Sequence, residues 1–209
     1  MAELLNEDTT LKPQQREYVS SIQHSAKSLL TIVNDILDFS KIERGRLDIE
    51  EVPFNLASTL DELCKLLSMF AQQKGLKFIY ENSIDKTLEV LGDPGRIRQV
   101  LSNLLMNALK FTEEGTVKMT VSATRRDSEL LGDEETLDVK FVIQDTGIEI
   151  EKSVLNKLFR PFSQGDASTV RLYGGTGLGF TISKNVTPPL LTLTTFVYGF
   201  YSGSSSSFE

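Results

Sequence analysis

The sequence predicts an α+β fold, a two-layer sandwich of helices against a mixed sheet, preceded by one long helix. Three observations carry this. Residues 13 to 43 keep an unbroken three-and-four spacing of apolar side chains. From about Leu47 that pattern gives way to short period-two segments interleaved with segments of helical period. Two period-two segments, Val117 to Ala123 and Leu137 to Ile143, follow one another across a charged loop, as hairpin strands do. Strands joined that way disfavour a doubly wound parallel sheet, in which a helix separates each strand from the next.

Taken in order, Val19, Ile22, Ala26, Leu29, Val33, Ile36 and Ser40 form the seam of a coiled coil or bundle helix. Pro13 suits its first turn and Gly45 its stop. Such a seam calls for a partner helix, in this chain or in another copy. Leu47 to Val52 alternates like a strand closed by Pro53, and Asn55 caps a helix with the stripe Leu56, Leu60, Leu63, Leu67 and Phe70. Leu76 to Tyr80 reads as a strand. Asp93 and Pro94 make an N-cap and first-turn pair for a helix running to about Phe111. After the two hairpin strands comes a short helix from Glu151 to Leu158. The predicted divisions are 1–46, the long helix; 47–185, the α+β domain; and 186–209, a divergent tail outside any regular structure.

Composition narrows the function. The 209 residues are 40% hydrophobic and 24% charged, an ordinary globular balance. A net charge of −7 excludes a nucleic-acid groove, which needs a clustered basic face. The single cysteine, Cys64, excludes a disulfide framework and fits a reducing, cytoplasmic compartment. With a single histidine, His24, a His/Cys metal centre has too few ligands. The polar, acidic N-terminus is no signal peptide, and the apolar run from Leu190 to Tyr201 is too short for a bilayer, which takes about 20 residues.

Three polar clusters bear chemistry. In RLYGGTGLGFTI, residues 171 to 182, Gly174, Gly175, Gly177 and Gly179 lead into the apolar start of a helix. Glycines there let backbone N–H groups approach a phosphate at a helix N-terminus, and they equally suit a plain turn. On the predicted helix 94–111, Asn103, Asn107 and Lys110 share one flank of the apolar stripe Ile97, Leu101, Leu104, Ala108 and Phe111. Two carboxamides and an ammonium at the border of a buried face suit a divalent cation and its phosphates; the alternative is a solvated helix flank. In DTGIEI, residues 145 to 150, Asp145 is either a turn residue or, if buried beneath a base, an acceptor for an exocyclic amine. FRPFSQ, residues 159 to 164, reads as an apolar clasp for the loop that follows.

In this order NLLMNALKFT, DTGIEI, FRPFSQ and GGTGLG resemble the N, first G, F and second G boxes of sensor histidine kinases. Upstream, QREYVSSIQHSAKSLLTIVNDILDFSKIERGRL resembles the second helix of the dimerisation domain in hybrid-type kinases. The resemblance covers roughly residues 11 to 185. It implies the two-layer ATPase sandwich of that family, with ATP and Mg2+ as cofactors. By position, Asn107 matches the magnesium-binding asparagine, with Asn103 beside it and Lys110 near the phosphates. Asp145 matches the residue that recognises the adenine amine, with Gly147 behind it. Gly175, Thr176, Gly177, Leu178 and Gly179 match the box that holds the triphosphate, and Arg171 a basic residue of the lid, Gly165 to Tyr173. The implied activity is transfer of the γ-phosphoryl group of Mg-ATP to a histidine and onward to a receiver domain. Residues 13 to 43 are the implied homo- or heterodimer contact.

The chain departs from the family in four places. No SHEIRTP-like phosphoacceptor motif precedes the helix, and His24 lacks the adjacent Glu and the downstream Pro, so any acceptor histidine is expected in trans. Glu149 replaces the second glycine of DTGxGI, and Leu172 stands where a lysine is usual. After Asn185 the match stops: Pro188 and Pro189 break the helix, and the family's last strands are expected to be missing. Strand pairing by Leu191, Leu193, Phe196 and Tyr198 is the alternative for that tail. The competing functional class is a catalytically inactive kinase fragment that acts as a dimerisation module.

Overall fold

The computed structural model describes residues 12–126, 136–148, 177–179, 181–183 and 194–200. The chain divides between Arg46 and Leu47 into two compact units.

The first unit is helix α1, Pro13–Glu43, 31 residues and about 46 Å long at 1.5 Å per residue. Proline opens it, and the Lys12 N–H donates to Gln15 Oε1 at 2.9 Å, satisfying a backbone donor that the helix leaves unpaired. It ends in paired bonds, Arg46 N–H to Lys41 O at 2.9 Å and Gly45 N–H to Ile42 O at 3.0 Å. That pattern requires a left-handed residue after the cap, which Gly45 supplies with φ 62°. The seam residues Ile22, Leu29, Val33 and Ile36 are exposed.

The second unit opens with β1, Val52–Asn55, and α2, Leu56–Gln73. The Leu47–Val52 strand expected from alternation is corrected: the strand begins at Val52 and contains Pro53. A proline is tolerated because β1 pairs, among the described residues, with one strand alone, β3, Glu89–Gly92, which period counting passed over. Asn55 caps α2 as expected, its Oδ1 accepting from the Ser58 N–H at 2.7 Å. Leu56, Leu60, Leu63 and Leu67 are buried, but the stripe closes on Ala71, and Phe70 faces out at 43% exposure.

The main sheet runs β2–β4–β5–β6, where β2 is Lys77–Asn82, β4 Thr116–Arg126, β5 Thr136–Asp145 and β6 Thr194–Phe200. β4 and β5 are antiparallel, with Met119 opposite Ile143 and Val121 opposite Phe141. Alternation sends Val117, Met119, Val121, Val139, Phe141 and Ile143 into the core. Helix α3, Pro94–Phe111, and α2 cover that face. α3 buries Ile97, Leu101, Leu104 and Ala108 of its predicted stripe, leaves Phe111 half-buried, and buries Val100, Leu105 and Leu109 besides, because it packs on both the sheet and α2.

The tail expected to lie outside regular structure is corrected at residues 194–200. β6 runs parallel to β5, Val139–Asp145 against Thr194–Phe200, so β5 is an interior strand. A parallel neighbour needs a long crossover, and the connection here includes the helical residues 179 and 181–183. The expected helix 151–158 lies outside the described residues.

The core also fixes a pH response. Burial, with the Asp61 carboxylate second, pushes the Cys64 thiol from 9.0 up to about 12. Tyr80 on β2 is raised from its ordinary 10.0, again chiefly by burial. A raised acid stabilises the fold fully below its unfolded value and loses that contribution as the pH climbs, here from about 9 to about 12. Urea unfolding should show stability falling across this window by up to about 1.4 kcal/mol per pH unit from the thiol. Cys64→Ala should flatten the slope; an equal slope in both chains would remove the thiol as its cause.

Candidate nucleotide site

α3 begins at a firmly held cap. Asp93, buried, accepts the Arg96 N–H at 2.9 Å and the Glu50 N–H at 3.2 Å. At the other end the Thr112 hydroxyl donates to Ala108 O at 2.7 Å. Lys74, just past α2, donates to Leu109 O at 2.6 Å, Lys110 O at 3.3 Å and Thr112 O at 3.4 Å. A cation on carbonyls at a helix C-terminus satisfies orphan acceptors and opposes the negative end of the dipole. Lys74 therefore steadies the turn that carries Asn107 and Lys110, a role that no short sequence pattern announces.

Asn103, Asn107 and Lys110 are all half-buried along one flank of α3. Among the described residues the buried Asn103 Nδ2 has no hydrogen-bond partner. Leaving such a donor unsatisfied costs about 1–3 kcal/mol. Against this carboxamide lies Gly179, where an added Cβ would stand 3.6 Å from Asn103 Cγ and 3.7 Å from its Nδ2. Gly177, at φ 68°, makes the turn that brings the backbone there. Leu178 and Ile182, fully buried, anchor the segment, and the Ile182 N–H donates to Leu178 O at 2.8 Å. The Lys110 ammonium lies 5.3 Å from the centroid of the Phe111 ring, and burial holds its pKa below the ordinary lysine range.

Asp145 ends β5 at 1% exposure, so it is not a solvated turn residue. Its Oδ1 accepts the Gly147 N–H at 2.9 Å. The loop then docks on the end of α3, with the Ile148 N–H donating to Phe111 O at 3.3 Å. Gly147 is required by this contact, since a Cβ there would fall 2.5 Å from Phe111 O and 2.9 Å from Asp145 Oδ1. The fold thus brings the glycine turn onto Asn103, and the Asp145–Gly147 loop onto the C-terminal end of the same helix. Arg171, Gly175 and Thr176, with Glu149 and Leu172, lie outside the described residues. Thr146, Gly115 and Lys74 are the residues of this neighbourhood that sequence reasoning missed.

The residues present suit a nucleoside triphosphate: a buried amide donor, a glycine turn, a half-buried ammonium and a buried carboxylate. Among the described residues no group of three or more His, Cys, Asp or Glu side chains could hold a metal. No described helix is long and apolar enough to cross a membrane.

Comparison with known proteins gives the chain its family. A family model described as histidine kinase-, DNA gyrase B-, and HSP90-like ATPase matches residues 92–194, and one described as the His Kinase A (phospho-acceptor) domain matches residues 1–45. The unit after Arg46 thus carries an ATPase domain of the histidine kinase, gyrase and HSP90 class. The chain belongs to the sensor histidine kinases. It is 42% identical over 178 residues to the signal transduction histidine-protein kinase BarA of Escherichia coli, covering 85% of this chain and 19% of BarA. It is likewise 42% identical over 182 residues to the sensor histidine kinase GacS of Pseudomonas protegens, covering 87% of this chain and 19% of GacS. The chain therefore spans about a fifth of the length of these relatives. Among solved structures, full-length ShkA in complex with AMPPNP matches with a TM-score of 0.61 and 31% identity, covering 89% of this chain and 36% of that one.

Proposed function

We propose that residues 47–185 bind Mg-ATP as the catalytic part of a phosphorelay kinase that acts on a phosphoacceptor histidine. The observation that carries this is the unsatisfied Asn103 Nδ2 beside the Gly177–Gly179 turn, a buried donor facing a backbone cradle. Phosphate oxygens are the acceptors such a cradle suits. Bound there, Mg-ATP supplies the γ-phosphoryl group. Asn103 and the glycine segment would hold the phosphates, Lys110 would give them a counter-charge, and Asn107 would hold the magnesium ion. Asp145 accepts a hydrogen bond from the exocyclic amine of adenine. In phosphoryl transfer this is the protein's main part, positioning and charge neutralisation. The AMPPNP-bound state of ShkA supports the nucleotide class. The seam of α1 pairs with a second helix of a kinase dimer, and a receiver domain takes the phosphoryl group onward.

Calorimetric titration tests this reading. ATP should bind the full chain, more tightly with magnesium than without it. Asn107→Ala should remove that magnesium dependence and weaken Mg-ATP by about tenfold or more, a loss of about 1.4 kcal/mol. Equal magnesium dependence in both chains would refute the role of Asn107.

A second reading, a non-catalytic pairing module, draws on the exposed apolar seam of α1 and on Glu149 in place of a loop glycine. In that case the chain would bind no nucleotide and would still associate through residues 13–43.

A further inference from the structure

We propose that Thr146 is a positioning residue, which sets the direction of the Asp145 carboxylate and thereby the preference for adenine. The proposal rests on the nucleotide reading above. Thr146 is an exposed residue whose hydroxyl is nevertheless used twice by the backbone of a distant segment. The Thr116 N–H donates to Thr146 Oγ1 at 3.0 Å, and that hydroxyl donates to Glu114 O at 3.3 Å. The backbone adds a third tie, Thr146 N–H to Thr116 O at 3.1 Å. Gly115, between the two bonded residues, has φ 113°, and a Cβ built on it would clash with the Thr146 hydroxyl. The turn before β4 is therefore shaped around this one oxygen.

The other side of the same loop rests on α3, through the Ile148 N–H on Phe111 O and the close approach of Gly147 to that carbonyl. Thr146 supplies the opposing clamp. The Asp145 Oδ1 is held by the Gly147 N–H at 2.9 Å, so the plane of the carboxylate turns with the Asp145–Gly147 backbone. If the turn at Thr146 rotates, the second carboxylate oxygen rotates with it. Hydrogen bonds weaken steeply with angle, so the loss falls on the base contact. The phosphate cradle, built on Asn103 and the segment 177–179, contains neither Thr146 nor its partners.

Thr146→Val replaces the hydroxyl with a methyl group of similar size, and Thr146→Ser keeps the hydroxyl. Binding of magnesium ATP and magnesium ITP to the full chain separates the roles, because ITP has a carbonyl where adenine has its amine. Wild type should prefer ATP. Thr146→Val should lose about tenfold in ATP affinity and hold ITP within about twofold; Thr146→Ser should keep both within about twofold. Thr146→Ala removes the same hydroxyl and carries the comparison if the valine chain does not stay folded. Equal weakening of both nucleotides would make Thr146 merely structural and overturn the proposal, as would an unchanged ATP preference. A wild-type chain that binds both nucleotides alike overturns base recognition by Asp145 and the proposal with it. Binding of neither nucleotide overturns the nucleotide reading itself.

Discussion

Gly147→Ala should weaken Mg-ATP by about a hundredfold or more and destabilise the second unit by about 1–3 kcal/mol, the usual range for forcing extra atoms into a packed site. The new Cβ would stand 2.5 Å from Phe111 O and 2.9 Å from Phe111 C, both backbone atoms. Backbone yields less readily than the end of a flexible side chain. Here the end of α3 is also tied by Lys74 to three carbonyls and by Thr112 to Ala108 O. The strain is therefore expected to move the loop, and the third contact, at 2.9 Å, is Asp145 Oδ1 itself. Gly92→Ala is the matched control, because its Cβ would meet only the Phe54 side chain at an ordinary 3.5 Å. Urea unfolding and calorimetry on the two variants should diverge. Equal nucleotide affinity in Gly147→Ala and wild type would show that the loop does not form the base end of the site.

Local chemistry made much of this fold legible. Asn55 and Asp93 each precede a helix and accept the N–H three residues on, so both helix starts could be placed from the sequence. Alternation placed β4 and β5 because their buried residues recur at every second position over long strands. β3 escaped because four residues carry too little period, and its Leu91 is 73% exposed. β6 was legible only as the alternative of a strand-pairing tail, for a different reason. TTFVYGF has the threonine, valine and aromatic content of a strand, but its partner β5 is remote in sequence and parallel. Phe70 misled because helical spacing alone cannot tell whether a stripe closes on position 70 or 71.

The site was legible where the family's motifs name residue types, and illegible where the work is done by contacts. Asn103, Asn107, Lys110, Asp145, Gly147, Gly177 and Gly179 were all named from sequence, and the fold gathers them around α3 and the end of β5. Thr146 sits between two of them, but its hydroxyl bonds to residues 30 and 32 positions away, which no spacing rule encodes. Lys74 acts on carbonyls 35 to 38 residues downstream. The glycine at 115 is explained by its positive φ and by the Thr146 oxygen that a Cβ there would clash with.

Asp145→Asn should abolish the preference for adenine and leave the fold in place. The substitution keeps an Oδ1 acceptor for the Gly147 N–H, now 2.9 Å away, so the loop retains its internal bond. It also removes a negative charge from a residue only 1% exposed, which spares the fold a desolvation cost. The variant is therefore expected to fold, which urea unfolding checks. Recognition changes more. The second carboxylate oxygen becomes an amide nitrogen, a donor where the adenine amine also donates. Losing a hydrogen bond to a charged acceptor costs about 1.5–3 kcal/mol, and the two facing donors add to it, so ATP should weaken by about a hundredfold. ITP presents an acceptor at that position and should bind the variant better than ATP does. Parallel titrations of ATP and ITP on wild type and Asp145→Asn read the inversion directly, and ATP affinity within about threefold of wild type would exclude Asp145 from base recognition.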